Sequence, residues 1–256
     1  MRNDGTLRLY KYRNLLGEFG RASIEQAISG NKLFWQSPSS FNDPFDSLPV
    51  LYFGDNESQR KQFRGRAAAA VYGGPRVERR KREREMRAVP PLQMEKALRD
   101  QWPQWLRDSA ATCFSEVPDH PLMWGHYADS HKGVCLIFDE IANDKIQWFG
   151  FPVEYKEERP RVNLTKFNNP EIMMSALFHK SAHWSYEREH RMIEWAKPPG
   201  YRAFPPQALV GIILGASISD DDEAFVRGLL AKRPALEVYR TAIDAVEFKL
   251  NIIREE

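Results

Sequence analysis

The chain has 256 residues, of which 42% are hydrophobic and 28% are charged, a length and composition that suit one large domain. No run approaches the roughly 20 apolar residues of a membrane span, and the polar start Met1–Asp4 leads into no apolar signal segment. These observations suggest neither a membrane span nor export. We therefore expect a cytoplasmic protein in which Cys113 and Cys135, the two cysteines, are reduced core thiols.

The overall charge of +2 is unevenly distributed along the chain. The segment Arg60–Arg87 contains eleven Lys or Arg and three Glu, so its net charge is +8 and that of the remainder is −6. One interpretation is a surface that binds the phosphates of DNA or RNA. The other is a solvated helix whose glutamates pair with the neighbouring basic residues. The residues that would contact nucleic acid are Arg76, Arg79, Arg80, Lys81, Arg82 and Arg84.

The first 36 residues predict two strands and a helix. Alternating apolar and polar residues indicate a strand over Leu7–Tyr12. Ser23 followed by Gln26 is typical of a capping box, which predicts that a helix begins there and ends at Gly30. A second strand is expected over Lys32–Gln36, before a loop rich in proline.

The middle of the chain divides into a helical and a strand-rich part. Residues 56–108 are polar and helical in pattern, and their thin apolar content predicts a basic insertion within the domain. Strands are expected over Ala110–Ser115 and Gly133–Asp139, with a short helix over Pro121–Ala128 between them. The run of apolar residues in the second of these strands indicates burial on both faces.

The last hundred residues alternate between strands and helices without a repeating βαβ order. Ser219, with Asp222 three residues later, predicts the start of one helix. The chain as a whole, residues 1–256, is therefore predicted to be a single α+β domain. The other expected elements are the helix Glu171–Lys180 and the strands Phe151–Tyr155, Tyr186–Trp195, Leu209–Leu214, Leu236–Arg240 and Val246–Ile252.

The segment Trp184–Arg191 is the first candidate site. If it is a strand, Glu187, Glu189 and Arg191 share one face. Two carboxylates about 7 Å apart on one face repel each other unless a cation compensates them. Arg191 is one compensating group, and a cationic or sugar ligand would be another. The alternative is an exposed strand face with its own ion pairs.

Two further segments offer polar groups in rigid surroundings. In Phe41–Asp46, the proline that follows Asn42 and Asp43 restricts their conformation. These two residues either contact a ligand or belong to a turn that the neighbouring phenylalanine rings anchor. His126 and Tyr127 precede the buried strand and would line one wall of a site for a polar ligand. Each of these residues has a purely structural interpretation as well.

Metal and nucleophile sites are disfavoured. His179 and His183 have i, i+4 spacing and Glu187 follows at the same interval, but the segment lacks the internal Glu of a metalloprotease helix. No Gly-x-Ser-x-Gly turn and no Walker loop occurs. We therefore predict no metal site.

Several of these segments resemble a bacterial family known as domain-of-unknown-function family 2971. The resemblance covers most of the chain apart from the basic insertion, and the family name implies no activity. It rests on the segments Leu9–Tyr12, Leu33–Ser37, Phe41–Asp46, Cys113–Glu116, Met123–Ala128, Lys132–Asp139 and Trp184–Arg191.

More distantly, the order of elements resembles the ADP-ribosyltransferase fold, within it the DNA-modifying toxin branch called DarT. The resemblance implies a split mixed or antiparallel sheet, NAD as substrate, and a glutamate delivered by a late strand. Glu189 would grip the ribose and stabilise an oxocarbenium-like state, and Glu187 would position or deprotonate the acceptor. Tyr10 and Tyr12 stand where many transferases have Arg or His followed by Ser or Thr.

The same resemblance implies contacts to the rest of the cofactor. Aromatic rings would stack on nicotinamide or base, and amide and carboxylate groups would form hydrogen bonds with it. The residues expected to bind NAD are Tyr10, Tyr12, Trp35, Asn42, Asp43, His126, Tyr127 and Arg191.

Three functions stay open at this point. The first is an NAD-consuming transferase that modifies nucleic acid or protein in a bacterial toxin or phage-defence setting. The second is a non-catalytic module that binds a nucleotide or nucleic acid. The third is a metal-dependent nuclease built on Asp43, Asp46, Glu187 and Glu189. Binding and turnover of NAD distinguish the three.

Overall fold

The computed structural model describes residues 7–71, 75–142, 147–166 and 170–255. The chain forms two compact units. Unit 1 comprises Met1–Gln36, Ala110–Val153 and His183–Glu256, and unit 2 comprises Ser37–Ser109 and Glu154–Ala182. The single domain expected from the sequence stays a prediction.

Helices and a large mixed sheet together confirm the α+β class. No helix in the described ranges is both long and apolar enough to cross a membrane. The helices are α1 (Gly17–Ile28), α2 (Glu57–Val71), α3 (Arg76–Ala88), α4 (Pro91–Arg107), α5 (Pro121–Tyr127), α6 (Pro170–Leu177) and α7 (Asp220–Leu230). The strands are β1 (Arg8–Arg13), β2 (Lys32–Trp35), β3 (Val50–Tyr52), β4 (Ala110–Ser115), β5 (Val134–Asp139), β6 (Ile141–Ala142), β7 (Gln147–Trp148), β8 (Phe151–Pro152), β9 (Glu154–Lys156), β10 (Arg161–Asn163), β11 (His179–Ser181), β12 (Glu189–Glu194), β13 (Gly200–Ala203), β14 (Leu209–Leu214), β15 (Glu237–Ile243) and β16 (Leu250–Arg254).

Unit 1 is built on an eight-stranded sheet in the order β16-β15-β14-β5-β1-β4-β12-β8. All neighbouring strands are antiparallel except β14 and β15, which are parallel. Every residue of β5 is buried, which confirms the expectation from its apolar run. The strands that supply the candidate site, β1, β4 and β12, are adjacent.

The two faces of this sheet carry separate clusters of apolar residues, because successive side chains of a strand point to opposite faces. Leu9 and Phe138 belong to the cluster that includes buried residues of α1 and α7. Tyr12 and Ile213 belong to the other, which includes Trp124 of α5. The rings of Tyr12 and Trp124 meet edge to face, with centroids 5.2 Å apart.

Only one of the two predicted capping boxes begins a helix. Ser219 caps α7, and its side chain accepts a hydrogen bond from the backbone N–H of Asp222 at 3.2 Å, as expected. The prediction for Ser23 was wrong, because α1 begins six residues earlier at Gly17. Within that helix the Ser23 hydroxyl donates to the carbonyl of Gly20 at 2.8 Å.

Unit 2 contains the helical segment and two small pairs of parallel strands. The expected helices between residues 56 and 108 are confirmed as α2, α3 and α4. Buried Trp102 of α4 donates from its indole N–H to the carbonyl of Ser47 at 2.9 Å. The strand pairs are β3 with β10 and β9 with β11.

Some predicted boundaries differ from the structure. The expected strand Phe151–Tyr155 is split into β8 and β9, which belong to different units. The expected helix Glu171–Lys180 ends at Leu177, and His179–Ser181 is extended because it pairs with β9. The end of the predicted helix is therefore a strand, because pairing with a distant strand outweighs the helical pattern of the local sequence.

We predict that Gly133→Ala destabilises unit 1, because a β-carbon at residue 133 would lie 2.1 Å from the carbonyl oxygen of Arg13. Two backbone segments would have to separate, at a cost of about 1–3 kcal/mol. Urea unfolding followed by tryptophan fluorescence measures the loss. Gly228→Ala is the control, because that helical position has open space and alanine favours helix. A wild-type midpoint for Gly133→Ala would contradict the prediction.

Candidate active site

The site lies in unit 1, where a short 3₁₀ helix, Ala182–Glu187, leads into β12. Arg188 separates the two elements with a left-handed backbone, φ 43°. The predicted strand Tyr186–Trp195 was therefore wrong in its first part. Glu187 precedes the strand, whereas Glu189 is its first residue.

Glu189 and Arg191 form a buried ion pair on one face of β12. The Arg191 Nε donates to Glu189 Oε1 at 2.6 Å and its Nη2 to Oε2 at 3.0 Å. Arg191 is 0% exposed and Glu189 is 5% exposed. A guanidinium–carboxylate contact with two hydrogen bonds offsets the cost of burying both charges. Arg191 thus compensates a carboxylate charge, as the sequence analysis expected.

Residues of β4 lie opposite this ion pair. Ser115 is the register partner of Glu189, and Cys113 is that of Arg191. Burial raises the pKa of the Cys113 thiol well above its usual value, and the Glu189 charge raises it further. Cys113 is therefore a neutral, free thiol beside the pair, although it is only half-buried, whereas Cys135 is buried as expected.

Glu187 is held by both its carboxylate and its backbone. The Tyr127 hydroxyl donates to Glu187 Oε1 at 2.6 Å. The Ser115 hydroxyl donates to the backbone carbonyl of Glu187 at 2.6 Å, and accepts from the N–H of Val117 at 3.0 Å. Glu187 is 3% exposed. The structure thus brings together Tyr127 and Glu187, which the sequence named separately.

Four rings that are not fully buried follow one another next to Glu187, and we call them the aromatic wall: His120, His126, Trp184 and Tyr186. His120 and Tyr186 are stacked with centroids 5.0 Å apart and planes 19° apart. Trp184 lies 6.0 Å from Tyr186 and 6.0 Å from His126. Such rings offer flat, partly hydrated surfaces for a planar ligand.

Tyr10 and Tyr12 of β1 have different environments. Tyr10 is the register partner of Ser115, and burial raises its pKa to about 12. Tyr12 is buried in the core, and its hydroxyl donates to the carbonyl of Val117 at 2.6 Å. Tyr10 therefore keeps its expected place near the candidate site, whereas Tyr12 supports the fold.

Of the other residues expected to bind NAD, His126 is a member of the aromatic wall, whereas Trp35, Asn42 and Asp43 belong to other parts of the fold. Trp35 packs against the apolar cluster that contains Leu9, on the sheet face opposite to Tyr12. Asn42 and Asp43 belong to unit 2. Asp43 Oδ1 accepts from the backbone N–H of Phe45 at 2.9 Å, which is the turn interpretation of that loop.

A buried lysine was missed by the sequence analysis. Lys11 is 6% exposed, and its ammonium donates to the carbonyl of Cys113 at 2.7 Å and lies 5.0 Å from the centroid of the Phe114 ring. Burial lowers the pKa of Lys11 well below its usual value, and the nearby Arg13 charge lowers it further. The available signal was that strand alternation places Lys11 on the same face as the apolar residues Leu7 and Leu9.

A second polar cluster, on the other face of β12, was also missed. The Nε2 of buried His190 lies 2.8 Å from Glu116 Oε1, and its Nδ1 lies 3.1 Å from the carbonyl oxygen of Gly150. Arg188 also binds Glu116. This cluster links the start of β12 to the end of β4.

The residues weighed as metal ligands belong to two different elements. His179 lies in β11 and pairs with Glu154 at 2.8 Å, whereas His183 and Glu187 lie in the 3₁₀ helix Ala182–Glu187. Because His179 is in an extended strand, its i, i+4 spacing places nothing on a common helical face. Within the described ranges, no group of three or more His, Cys, Asp or Glu is arranged to hold a metal ion.

The residues expected to contact nucleic acid all lie on α3 of unit 2. Five of them are exposed, and the side chain of Arg79 lies outside the described residues. The exposed five are Arg76, Arg80, Lys81, Arg82 and Arg84.

Residues 123–192 match a family described as a protein of unknown function, DUF2971. The matched segment runs from α5 to β12 and includes Tyr127, Glu187, Glu189 and Arg191. It supports the resemblance to that family over less than half of the chain. No curated protein and no solved structure matches the chain. The relationship to ADP-ribosyltransferases stays a prediction.

We predict that wild-type stability rises relative to Lys11→Met as the pH increases towards about 10. The unfolded lysine keeps its proton up to its usual pKa of 10.5, whereas burial lowers the pKa of Lys11 in the folded state. The unfolded state therefore binds more protons in this window, so unfolding becomes less favourable by up to about 1.4 kcal/mol per pH unit. Urea titrations at several pH values measure the difference. The exposed Lys32→Met is the control, and parallel curves for wild type and Lys11→Met would refute the prediction.

Proposed function

We propose that unit 1 is an ADP-ribosyltransferase-like unit that binds NAD at the aromatic wall and breaks its bond between nicotinamide and ribose. The observation that supports this most is the pair of buried carboxylates, Glu187 and Glu189, two residues apart and next to partly exposed rings. Tyr127 and Arg191 hold these carboxylates in place. Fixed negative charge beside an aromatic surface suits a ligand that becomes positively charged as it reacts.

The chemistry follows from where the charge develops. As the bond from ribose C1′ to nicotinamide breaks, the leaving nicotinamide takes the bonding electrons and the sugar becomes oxocarbenium-like. A preorganised carboxylate in a water-poor site stabilises such a cation by several kcal/mol. The acceptor then bonds to C1′ and gives its proton to a base, a role that the Glu187 carboxylate would have. Glu189 would contact the ribose, and the Arg191 contact fixes its orientation.

A second candidate is a module that binds a nucleotide without cleaving it. The observation in its favour is that both oxygens of Glu189 already accept hydrogen bonds from Arg191. A carboxylate used in this way has less capacity to bind a ribose hydroxyl. The metal-dependent nuclease has no comparable support, because no group of three or more His, Cys, Asp or Glu within the described ranges is arranged to hold a metal ion.

The test is nicotinamide release from NAD by the purified full-length chain, with and without a bacterial lysate, single-stranded DNA or RNA. We expect release by the wild type and a loss of about 100-fold or more in Glu187→Gln, since the amide keeps the shape of the side chain but cannot take the proton of the acceptor. Glu194→Gln is the matched control, because Glu194 ends the same strand and pairs with Lys197 and Arg202. It should retain wild-type release.

Binding of NAD, measured by calorimetry, separates the remaining outcomes. Trp184→Ala should weaken binding of NAD if the aromatic wall holds the cofactor. Binding without release under every condition would establish the non-catalytic module and reject the transferase. Neither binding nor release would reject both. Growth arrest of bacteria that express the wild type but not Glu187→Gln would support the toxin setting.

A further inference from the structure

The exposed helix α3 carries four arginines on one side. Arg76, Arg80, Arg84 and Arg87 follow one another at intervals of four, four and three residues, which places them within about a quarter of the helix circumference. All four are exposed. We call this set the arginine stripe. Its length is about 16 Å, from a rise of about 1.5 Å per residue over eleven residues.

The acidic residues of α3 are mostly on another side. Glu78 and Glu85 are seven residues apart, lie nearly opposite the middle of the stripe, and are both exposed. The position of Glu83 borders the stripe, four residues before Arg87, and its side chain lies outside the described residues. The stripe therefore keeps a strong excess of positive charge.

The arginines of the preceding helix have structural roles instead. Arg60 of α2 donates from Nε to the carbonyl of Phe53 at 2.8 Å, and Arg66 donates to the carbonyl of Thr165 at 2.9 Å. Arg64 is 6% exposed and bonds to Glu57. Most of the exposed basic residues in the described part of Arg60–Arg87 thus lie on α3.

The stripe is unfavourable for the isolated helix. Arginines at i, i+4 repel each other, and this spacing occurs twice, from Arg76 to Arg80 and from Arg80 to Arg84. No apolar contact of Val77 offsets the repulsion, since that residue is 79% exposed. A row of negative charges along the stripe would replace repulsion by attraction and stabilise the helix.

We propose that the arginine stripe binds the phosphate backbone of a nucleic acid. Guanidinium groups bind phosphates through two parallel hydrogen bonds, and a duplex presents about ten phosphate charges over the length of the stripe. A helix that lies on a membrane needs an apolar face, whereas the side of α3 away from the stripe carries Glu78 and Glu85. Backbone contacts of this kind do not depend on base sequence. This inference is independent of the NAD reaction proposed for unit 1.

The experiment measures binding of the full-length chain to fluorescein-labelled 20-nucleotide DNA, RNA and duplex DNA of mixed sequence, at several salt concentrations. The wild-type logarithmic slope with salt should be about −3 to −4, for four phosphate contacts. A triple variant, Arg76→Gln, Arg80→Gln and Arg84→Gln, should bind at least about 10-fold more weakly. The slope of its logarithmic salt dependence should be less negative than that of the wild type by about 3 units.

The matched control removes three positive charges from exposed positions of unit 2 outside α3: Lys61→Gln, Lys96→Gln and Arg107→Gln. It should bind within about 3-fold of wild type. Circular dichroism establishes that both variants are folded. Hydrogen exchange adds a second readout, in which the amides of α3 should exchange more slowly when nucleic acid is bound.

Three results would overturn the proposal. One is an equal loss of binding in both triple variants, which would mean a diffuse charge effect. Another is the absence of salt-dependent binding to all three nucleic acids. The third is binding to vesicles with anionic lipid but to none of the nucleic acids, which would identify the stripe as a membrane contact.

Discussion

Glu189 and Arg191 are buried together at the start of β12, and the rest of the candidate site depends on the contact between them. A fully buried guanidinium is tolerated only with a carboxylate beside it, so the pair fixes both side chains. The same strand register places Ser115 opposite Glu189, and the Ser115 hydroxyl holds the backbone of Glu187. The carboxylate of Glu187 then meets the hydroxyl of Tyr127. One ion pair thus orders two acidic residues next to the aromatic wall.

Charge is distributed between the two units in a way that suggests two tasks. Unit 1 holds buried carboxylates beside partly exposed rings, which suits a ligand that develops positive charge. Unit 2 presents the arginine stripe of α3, which suits a polyanion. The sequence analysis treated the whole of Arg60–Arg87 as one basic segment. The structure assigns the arginines of α2 to internal contacts and leaves α3 as the basic surface.

The sequence predicted the elements whose local pattern agrees with their long-range environment. Leu209–Leu214 and Ala110–Ser115 have the predicted bounds, because continuous apolar residues favour buried strands. Glu187 was wrongly predicted to lie in the strand. The left-handed backbone at Arg188, where the 3₁₀ helix ends, cannot be recognised from the alternation of apolar and polar residues. Lys11 was missed because its acceptor, the carbonyl of Cys113, is 102 residues away in the chain. Predictions failed where a local backbone conformation without a residue pattern, or a partner distant in the chain, determines the structure.

A double-mutant cycle on Glu189 and Arg191 tests most directly whether their contact organises the site. Glu189→Leu and Arg191→Met should each lower the free energy of unfolding by about 3–5 kcal/mol, because each leaves a buried charge without a partner. The double variant should be more stable than the sum of the single losses predicts, by about 2 kcal/mol or more. Losses that add within about 0.5 kcal/mol would show that the two side chains are not coupled, and would contradict this account.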